Sequence, residues 1–360
     1  LPRLLAATHH PANLYALHFD AKIPAANLSL ALAHIASVPE YAPNVHILPS
    51  QAVTYPGITM TLNTVYAIDF LLRKSSSWSF FINLSGSDYP LVPQPFLRQT
   101  LAAVIAARDA MHPSSAGDPT SYPNFFSIAS STHWRKFLGR LLRYRVDPAL
   151  TLFDPASSPP SPAESALVKA RYDVPAVPLA WRFVKAEAWM ALSRPFAAFV
   201  VSAPFARRIL HHFAHAISSP EHYFVSVAYN HAGFQKTLVP SAFRCVLWRH
   251  KSAKKSAHSG QHPLYLDALG GDNASSSPTT EAFPALLKSR AWFARKFKHP
   301  DSPLMDKIDA LLSGRLFASA SAAAAAAVPP PSSSLNVTDD DAATSAAAAE
   351  AFRENFLQAV

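Results

Sequence analysis

Short, continuous apolar runs alternate with longer segments of helical spacing along the first third of the chain. The apolar runs, rich in β-branched and aromatic residues, lie at 13–20, 44–48, 79–85 and 124–128. Their continuity is typical of strands that are covered on both faces. The segments between them carry apolar residues at helical spacing over 27–37, 58–74 and 95–111. Strands that alternate with helices predict an α/β fold around a mixed, mainly parallel central sheet flanked by helices.

Polar and low-complexity segments divide the remainder of the chain. Pro/Ser-rich stretches at 112–120 and 154–165 predict surface loops, and the basic stretch at 249–263 predicts another. Near the end, an alanine run, a proline–serine run and an Asp-rich run follow one another, which is typical of disorder. The pattern predicts one globular domain over 1–316 and a mostly disordered tail over 317–360.

Charge, cysteine content and hydropathy limit the kinds of binding partner, disulfide, metal site and membrane span that the sequence allows. The sequence has 32 Lys and Arg against 23 Asp and Glu, a formal net charge of +9, which suits a phosphate group, a nucleic acid or an acidic glycan. No recognisable nucleic-acid-binding module accompanies this charge, so we expect no nucleic-acid partner. Cys245 is the only cysteine, which excludes an internal disulfide and a cysteine-built metal site. No apolar run reaches the roughly 20 residues of a membrane span.

Two aspartates follow predicted strands. Asp88 ends the stretch "FINLSGSD" and Asp20 ends "HFD". Open α/β sheets bind ligands at the carboxyl edge of their strands, where both residues are expected. Each aspartate could equally cap the turn that follows its strand.

A basic pair lies between aromatic residues in "FARKF". Its members, Arg295 and Lys296, combine a guanidinium fork with a point charge, which suits a diphosphate. The alternative is a solvated surface pair.

The stretch "ISSPEHYF" places Glu221 where either of two roles is possible. Ser219 can cap a helix, Pro220 suits its first position, and an acid in the first turn complements the helix dipole. These residues therefore predict a helix start. The same carboxylate could also serve as a general base.

Metal-binding patterns are weak. His211 and His215 have the i, i+4 spacing of a zinc pair, but the sequence has no "HExxH" glutamate and no evident third ligand. The Asp-x-Asp spacing in "TDDDAA" lies in the predicted disordered tail, where no strand would position it. We therefore expect no metal site, and the sequence also has no P-loop and no G-x-G-x-x-G.

Taken in order, a series of motifs resembles the family 14 glycosyltransferases, which include the core-2/I-branching enzymes, the protein xylosyltransferases and the plant β-glucuronosyltransferases of arabinogalactan proteins. The motifs are "HHPANLYALHFD", "VTYPGITMTLNTVYAIDFLL", "WSFFINLSGSDYPL", "EAWMALSRPFAAFVV", "ISSPEHYFVSVAYN" and "FARKFKHPDSPLMDKIDALLSGR". "SSPEHYF" followed by "FARKF" is most like the plant branch.

The resemblance implies a GT-A-type fold and an inverting, metal-independent transfer without a cofactor. It implies that Glu221 is the general base, that Arg295 and Lys296 hold the nucleotide diphosphate, and that Asp20 lies near the nucleoside. It implies an acceptor and sugar cleft that contains three further residues, Asp88, Trp189 and Glu187. Glu187 departs from the family, which usually has a small residue there, and this acid could alter or block acceptor binding.

The resemblance also implies a function and a location. We expect transfer of β-glucuronic acid from a UDP-sugar to a galactan chain of an arabinogalactan protein, in the Golgi lumen. A first sheet strand and a membrane anchor are expected before Leu1. A xylosyltransferase, a β-1,6-N-acetylglucosaminyltransferase and a degenerate member that only binds a glycan remain alternatives.

Overall fold

The computed structural model describes residues 1–128, 143–147, 168–173, 182–247, 263–268 and 278–312. In these residues the helices are α1 (Pro2–Thr8), α2 (Ala25–Ala36), α3 (Ile58–Lys74), α4 (Gln94–Met111), α5 (Arg194–Ser202), α6 (Pro204–Phe213), α7 (Ser219–Tyr229), α8 (Ala232–Gln235), α9 (Pro278–Lys288) and α10 (Pro303–Leu312). The strands are β1 (Tyr15–Leu17), β2 (Val45–Ile47), β3 (Phe80–Ile82), β4 (Asp88–Pro90), β5 (Asn124–Ile128), β6 (Arg143–Val146), β7 (Val168–Asp173), β8 (Ala186–Ser193), β9 (Leu238–Val239), β10 (Arg244–Val246) and β11 (Phe293–Arg295).

The predicted elements of the first third are confirmed. Each of the four predicted apolar runs contains a strand, namely β1, β2, β3 and β5, and the three periodic segments correspond to α2, α3 and α4. The predicted loop at 112–120 contains two short 3₁₀ turns. The predicted loop at 154–165 and the tail at 317–360 lie outside the described residues, so the predicted domain boundary stays a prediction.

The chain folds into two compact units, each made of segments that are separate in sequence. The first unit contains Leu1–His10, Leu84–Pro113 and the described residues from Phe243 onward. The second unit contains the described residues of Pro11–Asn83 and Ser114–Ala242.

The second unit is built around a four-stranded sheet with the order β3-β8-β5-β9. β8 is antiparallel to both β3 and β5, whereas β9 is parallel to β5. Two further parallel strands, β1 and β2, form a separate pair. Helices α3, α5, α6 and α7 supply much of the apolar core, in which Phe196 contacts Phe126 and Phe234 with ring centroids 6.4 and 5.0 Å apart.

The first unit has a three-stranded sheet with the order β10-β11-β4. β11 is parallel to β10 and antiparallel to β4. Its core joins these strands to α9, α10 and α1 through buried side chains such as Leu286, Leu304 and Ile308. Arg3 ties α1 to α10, because its guanidinium lies 2.6 Å from Asp306 and 2.8 Å from Asp309.

The described strands correct one expectation. The sheets are mixed, as predicted, but they are not mainly parallel, because four of the seven pairings between described strands are antiparallel. A strand that is buried on both faces has the same apolar sequence in either direction, so its pattern carries no information on orientation. The result is a mixed α/β fold.

No helix within the described ranges combines the length and the apolar composition needed to cross a bilayer.

Candidate functional site

Glu221 lies in the first turn of α7, a helix in which nine of eleven residues are buried. Ser218 precedes the helix with a left-handed backbone at φ 62°, and its carbonyl accepts the Glu221 N–H at 2.9 Å. An acid in this position complements the positive end of the helix dipole. The buried helix therefore fixes the Glu221 backbone, while 25% of its side chain remains exposed.

The start of this helix differs from the sequence prediction. We expected Ser219 to cap the helix with its hydroxyl and Pro220 to take the first helical position. Ser219 is instead the first helical residue, and its hydroxyl donates to the carbonyls of Phe213 at 2.9 Å and Ala216 at 3.0 Å. The N-cap is Ser218, which makes no side-chain cap. The Ser219 hydroxyl thus ties the helix start to the preceding turn.

Lys185 is a charged neighbour of this carboxylate. Its Nζ lies 3.3 Å from Glu221 Oε2, and 21% of the Lys185 side chain is exposed. A partly buried ammonium at this distance restricts the carboxylate to one orientation. Our sequence reasoning missed Lys185, because 36 positions separate it from Glu221 and only the fold brings them together.

A buried polar network supports the turn against which α7 begins. The Asp147 carboxylate, on a residue that is 2% exposed, accepts the Thr59 N–H at 2.9 Å and the Thr59 hydroxyl at 2.7 Å. Thr59 Oγ1 in turn accepts the Thr54 N–H at 2.9 Å. This network closes the turn that carries Pro56, whose carbonyl accepts the Ser218 N–H at 2.9 Å. The Asp147 side chain therefore stabilises the start of α3. Through Pro56 it also stabilises Ser218, whose carbonyl accepts the Glu221 N–H.

Glu187 and Trp189 lie on β8, where its pairing with β5 shifts register. Both residues are partly buried. The Asn83 side chain spans this stretch: its Nδ2 donates to Ala188 O at 2.8 Å, and its Oδ1 accepts the Met190 N–H at 2.8 Å. Bulges of this kind redirect side chains and are common beside active sites. Asn83 therefore fixes the backbone on both sides of Trp189.

Asp20 lies just beyond β1, where it forms a parallel bridge with Gln51. Its carboxylate accepts the Lys22 backbone N–H at 3.0 Å and pairs with Lys22 Nζ at 2.9 Å. The turn-capping alternative is therefore confirmed for Asp20. His18 lies nearby, and its Nε2 accepts the Gln51 N–H at 3.1 Å. Burial lowers the pKa of His18, although the charge of Asp20 opposes this shift.

Asp88 takes a different place from the one expected. We predicted that it lines a sugar and acceptor cleft, but its side chain is fully buried and lies 2.9 Å from an Arg244 nitrogen and 3.9 Å from Arg295 Nε. Its other oxygen accepts the Ser85 N–H, so it also closes the turn before β4. Removing one partner of such a buried ion pair costs about 3–5 kcal/mol. Asp88 is therefore a structural carboxylate among cations.

Arg295, Lys296 and Arg244 are three basic residues around the Asp88 carboxylate. Arg295 is 7% exposed, whereas Lys296 is partly buried and its Nζ lies 5.4 Å from the centre of the Tyr265 ring. Burial and, to a smaller extent, the charge of Arg295 lower the pKa of Lys296, and Asp88 opposes the shift. The surface-pair alternative is therefore wrong for Arg295, since this guanidinium is buried.

The predicted residues fall into two sets. Asp88, Arg295 and Lys296 belong to the first unit, whereas Asp20, Glu187, Trp189 and Glu221 belong to the second. Within the second unit, Lys185 links two of these residues, because it pairs with Glu221 and directly precedes the strand that carries Glu187. In the described part of the chain, no group of three His, Cys, Asp or Glu side chains is arranged to hold a metal ion.

The described residues thus form a mixed α/β fold with a carboxylate on a buried helix start in one unit and buried cations in the other. Comparison with known proteins gives the family. The family model described as "Core-2/I-Branching enzyme" matches residues 1–268. The chain therefore belongs to the Core-2/I-Branching enzyme family.

Individual relatives agree with this assignment. The chain is 32% identical over 319 residues to the beta-glucuronosyltransferase GlcAT14B of Arabidopsis thaliana, which covers 87% of this chain and 62% of that protein. It is 32% identical over 322 residues to GlcAT14A of the same plant, covering 88% and 61%. A mouse N-acetyllactosaminide beta-1,6-N-acetylglucosaminyl-transferase is 25% identical over 315 residues, covering 84% and 66%. The chain thus spans about three-fifths of the length of these two plant proteins.

Proposed function

We propose that this protein is an inverting glycosyltransferase that moves β-glucuronic acid from a UDP-sugar to a galactan chain of an arabinogalactan protein. The observation that carries the proposal is Glu221: a partly exposed carboxylate on a buried helix start, 3.3 Å from a lysine, in a chain of this family. The glucuronosyltransferase names of the two plant relatives support the choice of donor. A GT-A-type arrangement of the mixed α/β fold is part of the proposal.

Inversion needs one in-line attack. An acceptor hydroxyl attacks the anomeric carbon of the sugar, the bond to UDP breaks, and a base within hydrogen-bond reach takes the hydroxyl proton. We assign this base to Glu221, with Lys185 holding the carboxylate in place. Trp189 and Glu187, in the bulge fixed by Asn83, are assigned to the acceptor cleft.

The departing diphosphate needs positive charge. Arg295 and Lys296 supply two fixed cations, and buried cations act strongly because water does not screen them. We propose that they stabilise UDP without a metal ion, while Asp20 contacts the nucleoside. We further propose that the protein works in the Golgi lumen on a membrane anchor, where the glycans of secreted proteoglycans are extended.

The test is a donor screen on the full gene product. UDP-glucuronic acid, UDP-xylose and UDP-N-acetylglucosamine are assayed with galacto-oligosaccharides, with and without EDTA, for the wild type and Glu221→Gln. We expect turnover with UDP-glucuronic acid that survives EDTA and disappears in the variant. Turnover with another donor overturns the donor assignment, and loss in EDTA overturns metal independence.

A glycan-binding protein without turnover is the second candidate. Glu187 favours it, because this acid stands where family members usually have a small residue. A folded protein that binds galactan but transfers none of the three sugars would establish this alternative. Turnover restored by Glu187→Gly, which matches the usual small residue, would show that the acid itself blocks the reaction.

A further inference from the structure

Arg244 has no part in the reaction as proposed, yet it is among the most deeply buried charges of the described residues. Only 1% of its side chain is exposed, and its guanidinium carbon lies 5.3 Å from the centre of the Phe293 ring. Burying a charge is costly unless another charge compensates it. The Asp88 carboxylate, 2.9 Å away, contributes this compensation.

The strand order explains how Arg244 reaches this carboxylate. β11 lies between β10 and β4, and it pairs Arg295 with Asp88 on one side and Phe293 with Arg244 on the other. Arg244 therefore crosses the central strand to meet Asp88. Its guanidinium is nearer to the carboxylate than that of Arg295, at 2.9 against 3.9 Å.

We infer that Arg244 is a positioning residue that neutralises Asp88, so that the positive charge of Arg295 and Lys296 remains directed at the UDP diphosphate. The inference rests on the proposed function, since it deepens the account of the same anion site. Arg295 already forms the longer ion pair with Asp88, at 3.9 Å, and without Arg244 it would be the guanidinium left to neutralise this carboxylate. The site would then attract a diphosphate less strongly, although Arg295 and Lys296 were both still present.

The inference predicts different effects on UDP binding when the charge of Arg244 is removed and when the charge of Asp88 is removed. UDP binding is measured by titration calorimetry on the full gene product, for the wild type, Arg244→Met, Asp88→Asn and the double variant. We expect Arg244→Met to weaken UDP binding about tenfold, because the site loses one net positive charge when Asp88 is left to Arg295. Asp88→Asn should leave UDP binding equal to the wild type or tighter. The double variant, which removes both charges, should return to within about threefold of the wild type.

Conservative and distant variants complete the set. Arg244→Lys keeps the charge without the guanidinium fork, so we expect it to bind UDP within about threefold of the wild type. Arg98→Met removes an exposed charge from the same unit and should bind like the wild type. If Arg244→Met does not fold, Arg244→Lys, Asp88→Asn and the double variant still give the required comparison.

A merely structural role predicts a different pattern. It predicts that Asp88→Asn weakens UDP binding as much as Arg244→Met and that the double variant is no better than either, and this pattern would overturn the inference. Equal UDP binding by Arg244→Met and the wild type would also overturn it while leaving the proposed function intact. A wild type that binds no UDP would remove both proposals.

Discussion

Lys185 Nζ lies 3.3 Å from Glu221 Oε2, and the two side chains are held by different elements: Glu221 by the first turn of α7, and Lys185 by the residue position just before β8. About a fifth to a quarter of each side chain is exposed. The pair is therefore open enough to meet a substrate and constrained enough to keep one orientation. A general base needs both properties.

Removing the lysine should slow the chemistry rather than weaken binding. In Lys185→Met, the Glu221 carboxylate loses the cation that orients it, so we expect kcat to fall about tenfold with the KM for the UDP-sugar unchanged. Lys236→Met removes an exposed lysine from the same unit and serves as the control. Steady-state kinetics would show the difference. A rise in the donor KM with kcat unchanged would mean that Lys185 contacts the donor instead.

The buried carboxylate of Asp147 gives a stability prediction. Asp147→Asn keeps the shape but removes the charge that accepts both the N–H and the hydroxyl of Thr59. We expect the free energy of unfolding to fall by about 1–3 kcal/mol. Asp118→Asn changes an exposed cap of a short 3₁₀ turn, so its effect should stay within about 0.5 kcal/mol. Urea unfolding compares the two variants. Equal decreases in the free energy of unfolding would show that burial of the carboxylate does not determine the size of the effect.

The sequence was sufficient for the local elements and for the family. The runs around β1, β2, β3 and β5 and the helices α2, α3 and α4 are where the pattern placed them, because apolar spacing reports directly on the period of each element. The motif series identifies the family from the sequence alone, and the family model confirms it. Glu221 was correctly placed in the first turn of a helix.

The ion pairs between residues far apart in the sequence could not be predicted from the sequence. Nothing in "VKAEAW" connects Lys185 with Glu221, and nothing in "AFRCV" connects Arg244 with Asp88. Asp88 illustrates the reason: the same residue at the end of a strand could face a cleft, close a turn or pair with a buried cation. Only the order of β10, β11 and β4 decides this, and strand order depends on contacts between segments about 200 residues apart.

The Asn83 bridge predicts an effect on acceptor binding. Asn83→Asp keeps the oxygen that accepts the Met190 N–H but loses the N–H₂ that donates to Ala188 O. The backbone around Trp189 should loosen, so we expect the KM for the galactan acceptor to rise several-fold with little change in the KM for UDP-sugar. Trp189→Phe, a direct change in the proposed acceptor cleft, is the reference. If Asn83→Asp alters only the donor KM, the bulge does not serve the acceptor.

The affinity for UDP should show an alkaline limb, that is, a fall at high pH, that is due to Lys296. Burial and the charge of Arg295 lower the pKa of Lys296 below its ordinary value of 10.5, so in the free protein the ammonium loses its proton at a lower pH than an exposed lysine does. UDP binds the charged form, and its affinity should therefore fall as pH rises through this depressed pKa. In Lys296→Arg the part of the limb that belongs to Lys296 should vanish, because a guanidinium keeps its charge throughout this range. Only the part due to the uracil N3 proton, which UDP itself loses at alkaline pH, should remain. Titration of UDP from pH 8 upward, where the phosphate groups are fully ionised, measures the effect. Lys307→Arg, an exposed change on α10, should keep the limb, and an identical limb in Lys296→Arg would assign the titration to another group.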